Sequence, residues 1–249
     1  MTDRYRVAAN LATLANGLVG AGSILYVLAG NKLWAMLLIV CGIGFDGLDG
    51  LFSRRSPIPS GALGRVADSA ADAITFGVAP AALVAVHTDH AAAWAPFAPY
   101  CLAVALVVAA LAVGRLLYFT LRGFHWTHFV GAPTPQAALA IVLLGLFFDR
   151  PAFWGTDPAA LLVGALGVSL LMVAPVPFPK VRRGSPIRPI AAVTALALVG
   201  ALLPLQFGPA TGSALFLLAL AATIVAAVGN VLYFVAGPWI VVRQRTGAP

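Results

Sequence analysis

The sequence contains no glutamate. Its eight acidic residues are all aspartate: Asp3, Asp46, Asp49, Asp68, Asp72, Asp89, Asp149 and Asp157. Charged residues of either sign make up only 9% of the 249, where a soluble domain would carry about 25%. A water-facing helical surface uses Glu freely, so an ordinary cytosolic enzyme is excluded and most of this surface faces lipid. Cysteine is also scarce. Cys41 and Cys101 both lie inside apolar runs, which excludes a disulfide framework and a thiolate metal site and leaves packing as their role.

What remains is apolar. Hydrophobic residues make up 61% of the chain, and the mean hydropathy is +0.97. Glycine, proline and charged clusters divide the chain into eight stretches near 7–29, 33–53, 66–87, 92–121, 134–149, 158–176, 187–205 and 212–239. Each is of the order of the roughly 20 residues that span a bilayer; the fifth is short, and the fourth and eighth are long. The first run is too long for a signal peptide and contains Asn10 and Asn16, so it reads as a retained span. The pattern predicts an all-α, polytopic integral-membrane helical bundle of about eight transmembrane helices, forming a single domain over residues 1–249. No internal repeat divides it.

The formal net charge of +7 has a topological explanation. With a cytoplasmic N-terminus, every basic residue except Lys32 and Arg150 falls on the cytoplasmic side, including Arg182, Arg183, Arg243 and Arg245. This positive-inside bias predicts an even number of spans with both termini in the cytoplasm of a multi-pass cell-membrane protein. Basic loops beside anionic lipid need no nucleic-acid partner. His87, His90, His125 and His128 read as interfacial polar caps. Trp34, Trp94, Trp154 and Trp239 read as an aromatic belt, and Trp126 lies in a loop that could rest on the membrane.

Half of the acidic residues fall between Asp46 and Asp72. Asp46 and Asp49 are three apart at the end of the second span; Asp68 and Asp72 are four apart near the start of the third. On helices, each pair occupies one face one turn apart. A short loop makes the two helices antiparallel neighbours, so four carboxylates converge near the cytoplasmic side. They cannot all ionise in a low dielectric without a counter-charge. A donor set of hard oxygen alone favours Mg²⁺ or Mn²⁺, or else Ca²⁺, over zinc. Four carboxylates can hold two such ions, and paired ions suit a substrate with adjacent phosphates.

Small residues surround the acidic pairs. Gly42, Gly44, Gly47 and Gly50 on one helix, with Ala67, Ser69, Ala70, Ala71 and Ala73 on the other, allow close helix packing or room for a ligand. Gly50 and Gly64 flank the acidic pairs where a nucleotide would approach the backbone. Arg54, one turn beyond Gly50, is placed to grip a phosphate or pyrophosphate. Two other readings compete: paired helix-end charges at the interface, and an ion or proton pathway through a transporter. Membrane aspartates with few basic partners disfavour the first. Concentration on one helix pair, without repeats, disfavours the second.

The spacing Asp46-x2-Asp49-Gly50-x2-Ser53-Arg54-x9-Gly64-x3-Asp68-x3-Asp72 resembles the D-x2-D-G-x2-A-R-x8/9-G-x3-D-x3-D signature of the CDP-alcohol phosphatidyltransferases. Ser53 replaces the family's alanine, one small residue for another. The resemblance implies the CDP-alcohol phosphotransferase fold and a two-metal site that transfers a phosphatidyl group from a CDP-linked lipid to an alcohol, releasing CMP. It makes Asp46, Asp49, Asp68 and Asp72 metal ligands, with Asp72 also the general base. It makes Gly50, Ser53, Arg54 and Gly64 contacts of the CDP part. A homodimer is implied as well.

Within that family, several stretches are similar to the phosphatidylserine synthase branch. These are Asn10-Leu11-Ala12-Thr13-Leu14-Ala15-Asn16-Gly17, Asp68-Ser69-Ala70-Ala71-Asp72 with Phe76-Gly77-Val78-Ala79-Pro80-Ala81, Phe129 to Pro135, and Leu171 to Lys180. Asn16 and Arg115 join the substrate contacts on this likeness, which implies CDP-diacylglycerol and L-serine as substrates. Where the branch reads R-L-A-R-F-N, this chain has Arg115-Leu116-Leu117-Tyr118-Phe119-Thr120, which lacks the second Arg and the Asn. If that segment binds the serine carboxylate, the departure leaves inositol phosphate, glycerol phosphate or choline as alternative acceptors. The likeness covers a catalytic core of about 7–180 and does not account for an extra helix pair at about 187–240.

Overall fold

The computed structural model describes residues 3–59, 61–86, 95–122, 129–150, 155–179, 187–208 and 212–246. Among them are eight long helices: α1 (Arg4–Leu28), α2 (Lys32–Ser53), α3 (Ala62–Ala85), α4 (Ala98–Arg122), α5 (Thr134–Phe148), α6 (Pro158–Val173), α7 (Ile187–Leu205) and α8 (Ala214–Thr246). Five of them, α1 to α4 and α8, are long and apolar enough to cross a membrane by length and composition. With 15 and 16 residues, α5 and α6 span about 22–24 Å, less than a bilayer core of about 30 Å. Four two-residue strands complete the order. β1 (Phe129–Val130) pairs antiparallel with β4 (Pro177–Phe178), and β2 (Asp149–Arg150) with β3 (Gly155–Thr156). His87, His90, His125, His128, Trp94, Trp126, Trp154, Lys180, Arg182 and Arg183 lie outside the described residues.

Two boundaries differ from the sequence reading. Helix α3 begins at Ala62 rather than near 66, because Gly61 is extended (ψ 170°) and nothing after it breaks the helix. The connection from α2 is therefore residues 54–61, shorter than expected. Helix α8 continues through Pro238 to Thr246 instead of ending near 239. Its 33 residues make a rod of about 50 Å.

The packing inverts the soluble pattern. On α1 the buried residues are Ala9, Ala12, Asn16, Gly20, Ser23 and Val27, a single stripe of mostly small or polar groups. The opposite face presents Leu11, Leu14, Leu18 and Leu25 outward, about 60% exposed or more. Lipid is as apolar as leucine, so burying leucine gains little here; close backbone contact and buried hydrogen bonds drive association instead. The stripe meets α2 and α3. A Cβ on Gly20 would overlap the Thr75 hydroxyl and lie 2.8 Å from the Thr75 Cα, and one on Gly42 would lie 3.0 Å from Asn16 Oδ1. Inside the bundle, α5 is buried along most of its length, and its Ala138, Leu139, Val142 and Leu146 join Met36, Ile39, Phe76, Leu83 and Leu202 in the main core.

Aromatic rings mark the ends of the rods. At the α1–α2 turn Tyr26 stacks on Trp34 with centroids 6.1 Å apart. Near the far end of α8, Trp239 is 59% exposed and Arg243 lies over its ring at 4.8 Å. Two aspartates outside the acidic window act as helix caps: Asp3 accepts from the Tyr5 N–H (3.1 Å) and Asp157 from the Ala160 N–H (3.0 Å). Asp3 also accepts from the Ser56 hydroxyl, fastening the chain's start to the α2–α3 connection.

Gly20→Ala is expected to force α1 away from α3 and destabilise the protein by about 1–3 kcal/mol, read as a lower thermal midpoint in detergent. Gly167→Ala on α6, where an added Cβ meets nothing within 4 Å, is expected to be neutral or stabilising by up to about 1 kcal/mol. Equal midpoints for the two variants would contradict this packing.

Candidate functional site

Near the end of the bundle that carries Arg4, Arg6, Arg54, Arg55 and Arg65, α2 and α3 present their aspartates to one another. Asp46, Asp68 and Asp72 each offer a carboxylate oxygen, and these oxygens lie within 4.8 Å of one another. Asp49, one turn along α2 from Asp46, is buried at 9% exposure and stands beside this trio rather than in it. Its carboxylate is within hydrogen-bonding reach of Asp68. Counting from the nearer helix ends, Asp46 is about 10 Å and Asp72 about 15 Å inside the rods. Two like charges at 4.8 Å repel by about 3–4 kcal/mol at an effective dielectric of about 20. Three such pairs oppose full ionisation of the cluster.

Helix α1 holds the carboxylates in place. Asn16, fully buried, donates from Nδ2 to Asp72 Oδ1 at 2.8 Å. Thr13, one turn earlier, donates from Oγ1 to Asp49 Oδ2 at 2.8 Å. The Thr75 hydroxyl in turn donates to the Asn16 carbonyl at 2.8 Å. Thr75 lies in the wider π-helical turn Ala73–Val78, which begins immediately after Asp72. π-Bulges of this kind recur at functional sites. Here Thr75, inside the bulge, packs between Gly20 of α1 and Gly42 of α2. One buried oxygen, Asp68 Oδ1, has no hydrogen-bond partner among the described groups. An orphaned carboxylate oxygen within an all-oxygen donor set fits a hard divalent cation.

The glycines that the sequence singled out divide into two kinds. Gly44 and Gly47 open onto space, with nothing within 4 Å of an added Cβ, whereas Gly42 is packed against Thr75 and Asn16. At Gly50 an added Cβ would lie 3.4 Å from Arg54 Nη1, so the exposed Arg54 folds back over the motif glycine, and its charge acts on Asp46. Gly64 likewise faces a guanidinium: an added Cβ would lie 2.7 Å from Arg6 Nη2. Ser53 is half-buried in the last turn of α2. Two arginines thus lie at the two motif glycines, an arrangement suited to a diphosphate.

Arg115, the remaining predicted contact, sits apart on α4 among aromatic rings. It is buried at 6% exposure and donates from Nη1 to Thr134 Oγ1 at 2.8 Å. Its guanidinium carbon lies 4.5 Å from the Phe119 ring centroid and 5.6 Å from that of Phe129. Nε and Nη2 are buried without hydrogen-bond partners. Its charge acts on Asp72, which connects Arg115 to the acidic cluster. Thr134 is placed by Gly131, whose φ of +76° lets the 131–132 segment turn back on the end of α6. The Gly131 N–H donates to the Val176 carbonyl (2.8 Å) and the Ala132 N–H to the Leu171 carbonyl (2.8 Å). At this position a Cβ would collide with the Met172 carbonyl, which requires glycine. Thr120, at the departure from the R-L-A-R-F-N pattern, is hydrogen-bonded to Ser69, so that residue braces α4 against α3 between Asp68 and Asp72.

Sequence reasoning missed Thr13, Arg6, Thr75 and Thr134. The signal for Thr13 was present, since Thr13 and Asn16 are polar residues one turn apart on a mostly apolar helix. Arg6 had been read only as topology.

The comparisons with known proteins agree with this geometry. Residues 6–176 match the family profile described as CDP-alcohol phosphatidyltransferase. The chain is similar to the CDP-diacylglycerol–serine O-phosphatidyltransferase of Bacillus subtilis (strain 168), at 31% identity over 176 residues covering 70% of this chain and 90% of the relative. It is also similar to the enzyme of the same name from Mycobacterium leprae (strain TN), at 31% over 71% of this chain and 61% of the relative. The archaetidylserine synthase of Methanothermobacter thermautotrophicus is 30% identical, over 69% of each chain.

Asn16→Leu and Thr13→Val are each expected to weaken divalent-cation binding by about 10–100-fold, read by titrating the purified protein with Mn²⁺ under electron paramagnetic resonance. Unchanged affinity in both would mean that α1 does not support the cluster.

Proposed function

Since the chain belongs to the CDP-alcohol phosphatidyltransferase family, we propose that it transfers the phosphatidyl group of CDP-diacylglycerol to the hydroxyl of L-serine, giving phosphatidylserine and CMP. The observation that carries this reading is the meeting of Asp46, Asp68 and Asp72 from two neighbouring helices within 4.8 Å. The names of the relatives support serine as the acceptor. The buried Arg115, with two unpaired donors, supports it independently, because such a fork matches a carboxylate. The positive-inside bias supports a cytoplasmic site and cytoplasmic termini, and family resemblance supports a homodimer.

In this mechanism the lipid's acyl chains stay in the bilayer while its headgroup enters from the basic end of the bundle. Arg54 and Arg6 flank the diphosphate, and the open backbone at Gly44 and Gly47 leaves room for it. Two divalent cations, Mg²⁺ or Mn²⁺, held by Asp46, Asp49, Asp68 and Asp72, would supply charge neutralisation on the phosphate oxygens. Arg115 holds the serine carboxylate, which orients the hydroxyl toward Asp72. Asp72, fixed by Asn16, accepts the hydroxyl proton as a new bond forms between the serine oxygen and the lipid-side phosphorus. The bond from that phosphorus to the bridging oxygen breaks, and CMP leaves with the electron pair. Apolar walls exclude water, which would otherwise compete as the nucleophile.

The test is CMP release from CDP-diacylglycerol by purified protein with serine, inositol phosphate, glycerol phosphate or choline, each with and without divalent metal. Serine with Mg²⁺ or Mn²⁺ is expected to give CMP and phosphatidylserine. Asp72→Asn is expected to lower the rate by about 10²–10⁴-fold. Turnover that ignores metal, or that survives Asp72→Asn, would overturn the mechanism; ion or solute movement across proteoliposomes without CMP release would favour a transporter.

A further inference from the structure

The matched family region ends at residue 176, yet a residue far beyond it belongs to the aromatic surroundings of Arg115. Tyr233 on α8 is buried at 3% exposure and stacks on Phe178 with centroids 5.8 Å apart and planes 14° apart. Phe178 is the strand partner of Phe129, whose ring lies against Arg115. The charge of Arg115 and the Tyr233 hydroxyl are close enough to act on one another. That hydroxyl donates to the Pro179 carbonyl at 3.3 Å. One turn further along α8, Gly237 permits the approach, since an added Cβ there would lie 3.1 Å from Pro179 Cδ.

Asn230 lies one turn before Tyr233 on the same buried face, at 5% exposure, and its Nδ2 has no hydrogen-bond partner. Leaving a polar group unpaired and buried is costly, and here the unpaired groups on both helices are donors: Nε and Nη2 of Arg115 and Nδ2 of Asn230. Apolar packing alone would not place an asparagine and a tyrosine on that face. A ligand rich in acceptor oxygens satisfies donors of this kind.

We propose that α8, through Tyr233 and Asn230, closes the acceptor chamber opposite Arg115 and sets its preference for an alcohol bearing a carboxylate. The proposal rests on Arg115 holding the acceptor, and it gives the extra helix pair a role in acceptor selection. Tyr233 is a positioning residue that acts by fixing β4 and the aromatic wall around the guanidinium. Asn230 is the further donor for the bound acceptor.

The experiment measures KM for serine and for CDP-diacylglycerol, together with kcat, in wild type, Tyr233→Phe, Asn230→Leu and the lipid-facing control Val235→Ala, whose side chain is 70% exposed. Tyr233→Phe deletes only the hydroxyl and keeps the ring on Phe178. Both chamber variants are expected to raise KM for serine about tenfold or more, with kcat and KM for CDP-diacylglycerol within about twofold to threefold of wild type. Val235→Ala is expected to match wild type. An unchanged serine KM in both chamber variants overturns the proposal. If Tyr233→Phe lowers the thermal midpoint or fails to purify, Asn230→Leu decides the matter alone. A wild-type chain that refuses serine but uses another alcohol overturns the serine assignment; the role of α8 is then decided by whether KM for that alcohol shifts in the same variants.

Discussion

Repulsion among carboxylates in a medium that cannot solvate them is the constraint on which this structure depends. In water, aspartates a few ångströms apart would separate or gather counter-ions freely. Between α2 and α3 they cannot separate, because the helices carrying them are locked by close contact with α1. They also have few cations to draw on, since Arg54 acts on Asp46 from the rim and Arg115 on Asp72 from α4. The fold therefore holds an electrostatically unfavourable arrangement in place. That is a reason for the site to sit within the helices and for α1 to be so closely fitted to it.

The fitting of α1 explains features that a hydrophobic-core view would find odd. Its inward face is nearly devoid of bulk, with Asn16, Gly20 and Ser23 where a soluble helix would carry leucine. Each small residue lets another element come close, and Gly20 against Thr75 is the tightest of these contacts. The same approach places Thr13 and Asn16 within hydrogen-bonding distance of carboxylates on two different helices. Stability and function therefore draw on the same contacts. Loosening α1 would weaken the bundle and release the aspartates together.

Much of this was legible in the sequence, because the informative signals are local. The apolar runs place all eight helices, and the i, i+3 and i, i+4 spacing of the aspartates places each pair on one helical face. What the sequence did not reveal depends on contacts between distant segments. Asn16 meets Asp72 across 56 positions and Tyr233 meets Pro179 across 54. No periodicity on either partner alone announces such a meeting. The π-helical turn after Asp72 was equally hidden, since Ala73–Val78 has the composition of an ordinary apolar helix. The two-residue strands are too short to leave an alternating pattern, though Gly131 and the prolines around them marked the turns. Asp49 shows the limit of spacing arguments. Its position on the helix is as read, but its bond to Thr13 on a third helix is one that spacing along α2 could not show.

The two halves of the site make opposite electrostatic demands, and the fold meets them by separation. One half concentrates carboxylates whose oxygens lie within 4.8 Å of one another. The other isolates a single guanidinium among aromatic rings, where it would attract an anion. If the two were merged, Arg115 would pair with the aspartates directly. Thr134 prevents this by holding one arm of the guanidinium. The Phe119 and Phe129 rings hold its plane, and Ser69 with Thr120 fixes the spacing between α3 and α4. Among the described aspartates, the charge of Arg115 acts on Asp72. Asp72 is therefore the carboxylate on which both the buried Asn16 amide and the isolated guanidinium act.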